Sequence, residues 1–282
     1  MPSLGLLCVH PHPDDESIAC GGVLARYADE GARVAVVTAT RGEEGEVHSS
    51  IDLGDVPLGD VRAGELVDSL AVLGVDPPEF LGYRDSGMAG TAANDHPDSY
   101  HVADLDAAAM RLAGILRRFR PDVMVSDDEK GTYGHPDHVK SHAVARRAFD
   151  LAADPAVALD GDPWLVPKWY AFAIPKSQVW ELHQHLVGEA VASPFGEQPV
   201  HVGPSSMVFG VPDELITASI DVRPWLERKR AAMAAHRTQI GPESFFLNLP
   251  EELATTVFGW EHFVRLRGAG PDREDDLFAG LR

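Results

Sequence analysis

The sequence predicts an α/β protein: a Rossmann-like, mostly parallel sheet with helices on both faces and a smaller C-terminal subdomain. Three observations predict it. Short apolar runs at 4–9, 33–40 and 122–126 read as buried strands. Stretches of helical periodicity separate them, so strand, helix and strand recur within ~35 residues, as in a right-handed βαβ unit. The pattern then breaks between Ala153 and Pro163, around Asp154-Pro155 and Asp160-Gly161-Asp162. Residues 1–160 are therefore expected to form the core, and residues 161–282 a subdomain that completes a substrate cleft.

In chain order, the run Leu4–Val9 leads into His10-Pro11-His12-Pro13-Asp14-Asp15-Glu16-Ser17. A helix is expected to open at Cys20 and close at Gly31, where glycine supplies the helix stop. The second strand is Arg33–Thr40, and no G-x-G-x-x-G follows the first, which speaks against a dinucleotide site. Residues 41–58 form an acidic loop of a length that usually carries function. A helix over Arg62–Leu73 presents Leu66, Val67, Leu70 and Leu73 on one face. Phe80-Leu81 reads as a short strand, Gly82–Tyr100 as a loop, and Leu105–Arg120 as a helix ended by Pro121. After the strand at 122–126 comes Gly131–Val139, in which Pro136 is placed to start a helix running through Phe149. Further on, Lys168–Ile174, Ile216–Ile220 and Glu261–Arg267 read as strands. Ser177–Val187, and a stretch through Pro224 to near Gln239, read as helices. The Pro/Gly-rich stretch Gly188–Pro212 shows no periodicity, and no internal repeat stands out.

Composition narrows the function. The 282 residues carry 24 Lys+Arg against 44 Asp+Glu, a net charge of −20. That balance argues against nucleic acid or an anionic membrane as partner. No apolar run approaches the ~20 residues of a bilayer span. The N-terminus lacks the basic region of a signal peptide, so a cytoplasmic protein is expected. Cys8 and Cys20 are expected to be packing residues.

Two clusters carry chemistry. His12, Asp14 and Asp15 occupy the loop after the first strand, where open α/β sheets place ligands. His12 and Asp15 are three apart, so a tight turn can aim both at one ion with Asp14 beside it. The second cluster, Tyr133, His135, Asp137 and His138, follows the strand at 122–126, with His135 at a helix cap and His138 in its first turn. Carboxyl ends of parallel strands face one side, so two ligands from one loop and a third from the other leave a position for water. Oxygen and imidazole donors without thiolate suit catalytic Zn²⁺ or Fe²⁺ rather than structural zinc. Taken singly, Asp14 reads as an N-cap and His138 as a first-turn surface residue. The pairing at matching topological positions favours the metal.

His12-Pro13-Asp14-Asp15-Glu16 together with His135-Pro136-Asp137-His138 resembles the PIG-L/LmbE family of metal-dependent N-deacetylases. These enzymes act on N-acetylglucosaminyl compounds and related amides. Gly42–Val47 and Arg84–Gly90 are similar to the branch that deacetylates N-acetylglucosaminyl-inositol in mycothiol biosynthesis. The similarity runs from residue 4 to about residue 150 and resumes at Ala235-His236-Arg237-Thr238-Gln239. It implies His12, Asp15 and His138 as metal ligands and Asp14 as general base. It also implies His135, kept protonated beside a carboxylate, as the acid for the leaving amine, and Tyr133 as support for the oxyanion. Asp137 either fixes the His135 ring or only favours the helix N-terminus. Glu46, Arg62, Asp85 and Met88 match substrate-facing positions, although Arg62 also reads as an exposed helix residue and Asp85 as a turn residue.

His142 is read as a residue behind the site or on the surface, and His96, His101, His183 and His185 as solvated. The sequence gives His236 no mechanical role. The expected reaction is hydrolysis of an N-acyl, chiefly N-acetyl, amide on a small amino sugar. Its rivals are an amidase of mycothiol S-conjugates, a secondary-metabolite deacylase and a metallophosphoesterase, which needs more carboxylates than the first loop offers. A non-catalytic sugar- or metal-binding module has no use for Asp14 and His135. Assembly into a homo-oligomer is left open.

Overall fold

The computed structural model describes residues 3–48, 51–188 and 203–282. β1 (Gly5–His10) is buried along its whole length, as a strand covered by helices on both faces must be. The chain turns through the first motif into α1 (Asp15–Asp29) and returns as β2 (Arg33–Thr38). α2 (Leu58–Leu73) leads to the outer strand β3 (Glu79–Phe80). α3 (Leu105–Phe119), β4 (Val123–Ser126), the single turn α4 (Gly131–Gly134), α5 (Pro136–Ala153) and β5 (Lys168–Ala173) follow. The rest comprises α6 (Lys176–Gly188), β6 (Ala218–Asp221), α7 (Leu226–Ala235), α8 (Phe245–Asn248), α9 (Glu251–Phe258) and β7 (Trp260–Arg267).

Among the described residues the sheet has seven strands in the order β3-β2-β1-β4-β5-β7-β6. The first five are parallel, and β7 runs antiparallel to both β5 and β6. The chain winds outward from β1 to β3, then returns to the other side of β1 as β4. That reversal opens a crevice at the carboxyl ends of β1 and β4, the place where doubly wound sheets hold ligands. The two strands are direct neighbours, with Leu6 opposite Val123 and Cys8 opposite Val125. Both histidine motifs therefore leave the sheet at one seam.

The helices cover both faces, as expected. α1, α2 and α7 pack on one, burying Cys8, Leu24, Leu66 and Ile220. α3 and α5 pack on the other over Val9, Leu112, Met124 and Trp169. Each fully buried aliphatic side chain contributes roughly 1.5–3 kcal/mol, so the two layers hold the seam rigidly. A third apolar cluster joins Leu182, Met233, Leu249 and Phe258 from α6 to α9. The sheet continues past residue 160, since β5, β7 and β6 extend it.

Several boundaries differ from expectation. α1 begins at Asp15, which puts Cys20 in mid-helix rather than at its start. Asp15 and Glu16 occupy the first turn, where negative charge meets the positive end of the helix dipole. α2 begins at Leu58, directly after Pro57. α7 ends at Ala235, and His236–Gln239 form a turn beyond it. α8 and α9 were not anticipated, because residues 245–258 carry no long helical period. His183 is buried on α6 against the Trp180 ring, not solvated, whereas His96 and His101 are exposed and His185 is half-buried. Both cysteines are buried and free. The Pro/Gly-rich stretch 188–212 lies partly outside the described residues. Among the described residues no helix is long and apolar enough to cross a membrane.

Candidate active site

The first motif folds as its spacing predicts. The His12 N–H donates to Asp15 Oδ2 at 2.9 Å, closing the turn. Asp14, at the cap of α1, has φ 113° and ψ −34°, a conformation that a residue with a Cβ avoids. Arg62 crosses from α2 beneath it. Its Nη2 donates to Pro13 O at 2.6 Å and Asp14 Oδ2 at 3.1 Å, and its Nη1 to Gly42 O at 2.8 Å. Arg62 is therefore buried, not an exposed helix residue.

His12, Asp15 and His138 bring three donor atoms within 4.8 Å of one another. His12 Nδ1 lies 3.6 Å from Asp15 Oδ2, and His138 Nε2 lies 3.4 Å from Asp15 Oδ1. The opposite ring nitrogens are occupied. His12 Nε2 donates to Asp137 at 3.2 Å and lies 3.4 Å from Asp85, while His138 Nδ1 donates to Asp127 at 2.7 Å. Carboxylates behind ligating imidazoles fix the ring and raise its basicity, so this donor set fits a divalent cation. A second trio, His12, Asp85 and His135, is as compact. There, however, Asp85 already accepts from Gly87 N and Glu44 N, at 2.8 and 3.2 Å.

Burial opposes protonation of His12, but Asp85, Asp137 and Asp15 hold its pKa well above the usual histidine range. His138 is likewise raised against burial by Asp15 and Asp127. Asp15 is lowered because both histidines outweigh its burial. Metal uptake at this set therefore displaces protons.

Burial raises Asp14 to about 6, with Arg62 pulling the other way. His135 lies at the N-cap of α5, where its Nδ1 accepts the Asp137 N–H at 3.1 Å. Burial first, and then the positive charge of His12, lower it to about 4. The ring is thus neutral at neutral pH, with its proton on Nε2. This differs from the expected imidazolium. The Asp137 carboxylate does not reach the His135 ring; it accepts from His12 and from Ser86 N and Oγ. Tyr133 sits on α4, 53% exposed, with its hydroxyl 3.5 Å from His138 Nε2. The ring is open to solvent on one side, but desolvation on its cleft side, then the Asp15 and Asp14 charges, raise the phenol above its usual range, so it remains a donor.

All eleven expected residues except Asp137 line one cavity of about 650 Å³. Glu46 and Met88 are exposed at its edge, whereas Arg62 and Asp85 are buried beneath it. Phe172, Gln239, Phe245 and Trp260, from beyond residue 160, form part of the wall. The sequence reading missed Asp127, Ser86 and Glu16. Asp127 had a signal: it is a carboxylate directly after β4, at the same level as the first motif. His142 lies behind the site, its Nδ1 donating to Asp127 O at 3.0 Å and its ring stacked on Trp169.

Known proteins resemble this chain in sequence and in fold. Residues 7–149 match the PIG-L family, described as GlcNAc-PI de-N-acetylase. The 1D-myo-inositol 2-acetamido-2-deoxy-alpha-D-glucopyranoside deacetylase of Geodermatophilus obscurus is 44% identical over 99% of this chain and 99% of its own. The N,N'-diacetylchitobiose deacetylase of Pyrococcus horikoshii shares the fold at 20% identity, with a TM-score of 0.61 over 94% of this chain and 84% of that one. The 4-carboxy-2-hydroxymuconate hydratase of Pseudomonas putida does so at 20% identity and TM-score 0.61, over 95% and 98%. The architecture alone thus does not fix the reaction.

Proposed function

This chain belongs to the PIG-L family, and from that membership and the site's geometry we propose that it removes the acetyl group from an N-acetylglucosaminyl-inositol. The observation that carries the reading is the Asp14 carboxylate, tuned to about 6, beside the compact donors of His12, Asp15 and His138. Zn²⁺ held by those three residues, or Fe²⁺ on the same donors, supplies polarisation of the amide carbonyl and a more acidic water. Asp14 takes the proton from the attacking water as oxygen adds to the carbonyl carbon. The same carboxyl then gives that proton to the sugar nitrogen as the C–N bond breaks, leaving acetic acid and a free amine, which exchange a proton to become acetate and ammonium. A pKa near the operating pH suits both transfers. The His135 Nε2–H and the Tyr133 hydroxyl stabilise the negative charge on the carbonyl oxygen. Asp137 acts through His12, whose ring it orients.

Glu46 and Met88 contact the sugar at the rim, while Arg62 and Asp85 hold the loops that shape it. Residues 1–160 supply the chemistry, and residues 161–282 complete the cleft. The enzyme works in the cytoplasm on a small molecule; its net charge of −20 supports no nucleic-acid or anionic-membrane partner. A second reading, cleavage of a larger amide such as a mycothiol S-conjugate, is favoured by the aromatic wall of Phe172, Phe245, Phe246, Phe258 and Trp260. Acetate release from N-acetylglucosaminyl-inositol, measured beside amine release from an S-conjugate, separates the two. Cleavage of the conjugate alone sinks the first.

The rate is expected to rise with pH through about 6 as Asp14 ionises. Arg62 favours the charged carboxylate, so Arg62→Met is expected to move this limb upward by about one pH unit. A limb that stays in place in kcat assigns it to another group.

A further inference from the structure

Asp14 keeps its φ of 113° although no glycine occupies the position. Such strain persists only where the surroundings over-determine it. Its carbonyl oxygen accepts from the first turn of α1, from Ser17 N and Oγ and Ile18 N, and its N–H is taken by Glu16, whose Oε2 accepts it at 2.9 Å. The other oxygen, Oε1, accepts from Ser69 Oγ on α2 and from His236 Nε2 past the end of α7, each at 2.7 Å. Glu16, Ser69 and His236 are all fully buried. The turn bearing His236 is itself anchored, because Thr238 N and Oγ1 donate to the Glu65 carboxylate on α2 at 2.9 and 2.6 Å. Asp14 and Asp15 are consecutive, yet both carboxylates must serve one centre. Asp15 starts the helix in regular geometry, so the unusual backbone falls on Asp14.

We propose that Glu16, oriented by Ser69 and His236, is a positioning residue that holds the Asp14 backbone in its strained conformation and so aims the Asp14 carboxylate at the reaction centre. The proposal rests on the reading of Asp14 as the base. It gives the 236–239 turn a task that its sequence did not reveal: a segment from the far end of the chain sets the angle of the first motif.

The test uses zinc-loaded enzyme with N-acetylglucosaminyl-inositol, following kcat, KM, zinc content and thermal unfolding. Glu16→Ala is expected to lower kcat about 10–100-fold, the scale of a ~1 Å misplacement, with KM and zinc content close to those of the parent. Glu16→Gln is expected to recover most of that loss, since its amide oxygen still accepts the Asp14 N–H while its amide nitrogen pairs with the other tautomer of His236. In an Asp14→Asn background, Glu16→Ala is expected to add little, because the group being aimed is gone. Should Glu16→Ala not fold, Ser69→Ala, which removes one donor and a smaller volume, is read the same way with a smaller loss. Parental kcat in the folded variants, or a loss that multiplies in full onto that of Asp14→Asn, overturns the positioning role and leaves the base standing. Undiminished turnover in Asp14→Asn alone overturns the base, and the positioning with it.

Discussion

Asp14→Asn is expected to lower turnover by about 10²–10⁴-fold, the usual reach of a general base, while zinc content stays near that of the parent. The carboxylate and its amide are nearly isosteric, and Asp14 is not among the three compact donors, so the substitution removes a proton acceptor without removing a ligand. The contrast is with the donors themselves. His12→Ala, Asp15→Ala and His138→Ala each delete one of three, and each is expected to strip the metal from the purified protein. Elemental analysis beside a rate assay separates the two classes. Full metal in all three alanine variants rejects the ligand set, and parental turnover in Asp14→Asn rejects the base.

His135→Ala is expected to cost about 10²–10³-fold on an acetamide and on the matching acetyl ester alike, the scale of one lost oxyanion donor. The reasoning starts at the cap of α5. There the ring nitrogen Nδ1 accepts a backbone N–H, and the positive end of a helix disfavours a second proton. With its pKa near 4, His135 offers a neutral Nε2–H, which serves the carbonyl oxygen of amide and ester equally. An imidazolium acid behaves differently: it helps the poor amine leaving group far more than an alkoxide, and its ionisation produces an alkaline limb. A loss concentrated on the amide, with that limb flattened in the variant, makes His135 the acid and overturns the neutral reading.

What the sequence revealed, and what it withheld, follows from the range of the interactions. The motif strands, the loop turn at His12–Asp15 and the proline start of α5 are local. Apolar runs, a three-residue spacing and one residue type at a cap sufficed to place them. The partners that tune the site are not local. Asp137 lies two residues past His135 but turns its carboxylate to His12, 125 residues away. Arg62 has the look of a surface helix residue until the Gly42 and Pro13 carbonyls close over it. Asp15 and Glu16 read as loop because the helical apolar pattern begins only at Cys20, whereas the helix dipole accepts acidic residues in the turn before. Beyond residue 240 the short helices take their shape from the apolar cluster they enclose, and no periodicity announces them.

The seam between β1 and β4 also bears on how the chain is expected to fold. Gly5 N donates to Asp122 Oδ2 across 117 residues, and the parallel pairing beside it is equally remote. Contacts of that range are expected to form late, after the local helices. Until then the two halves of the site travel apart, and the carboxylates of Asp14, Asp15, Asp85, Asp127 and Asp137 are not yet gathered into one small volume. A cation that needs His12 and His138 together recognises only the finished seam. Such a cation is therefore not expected to nucleate the fold. Zinc loading is expected to slow unfolding and to leave the refolding rate close to that of the metal-free chain, measured as the two rates with and without zinc.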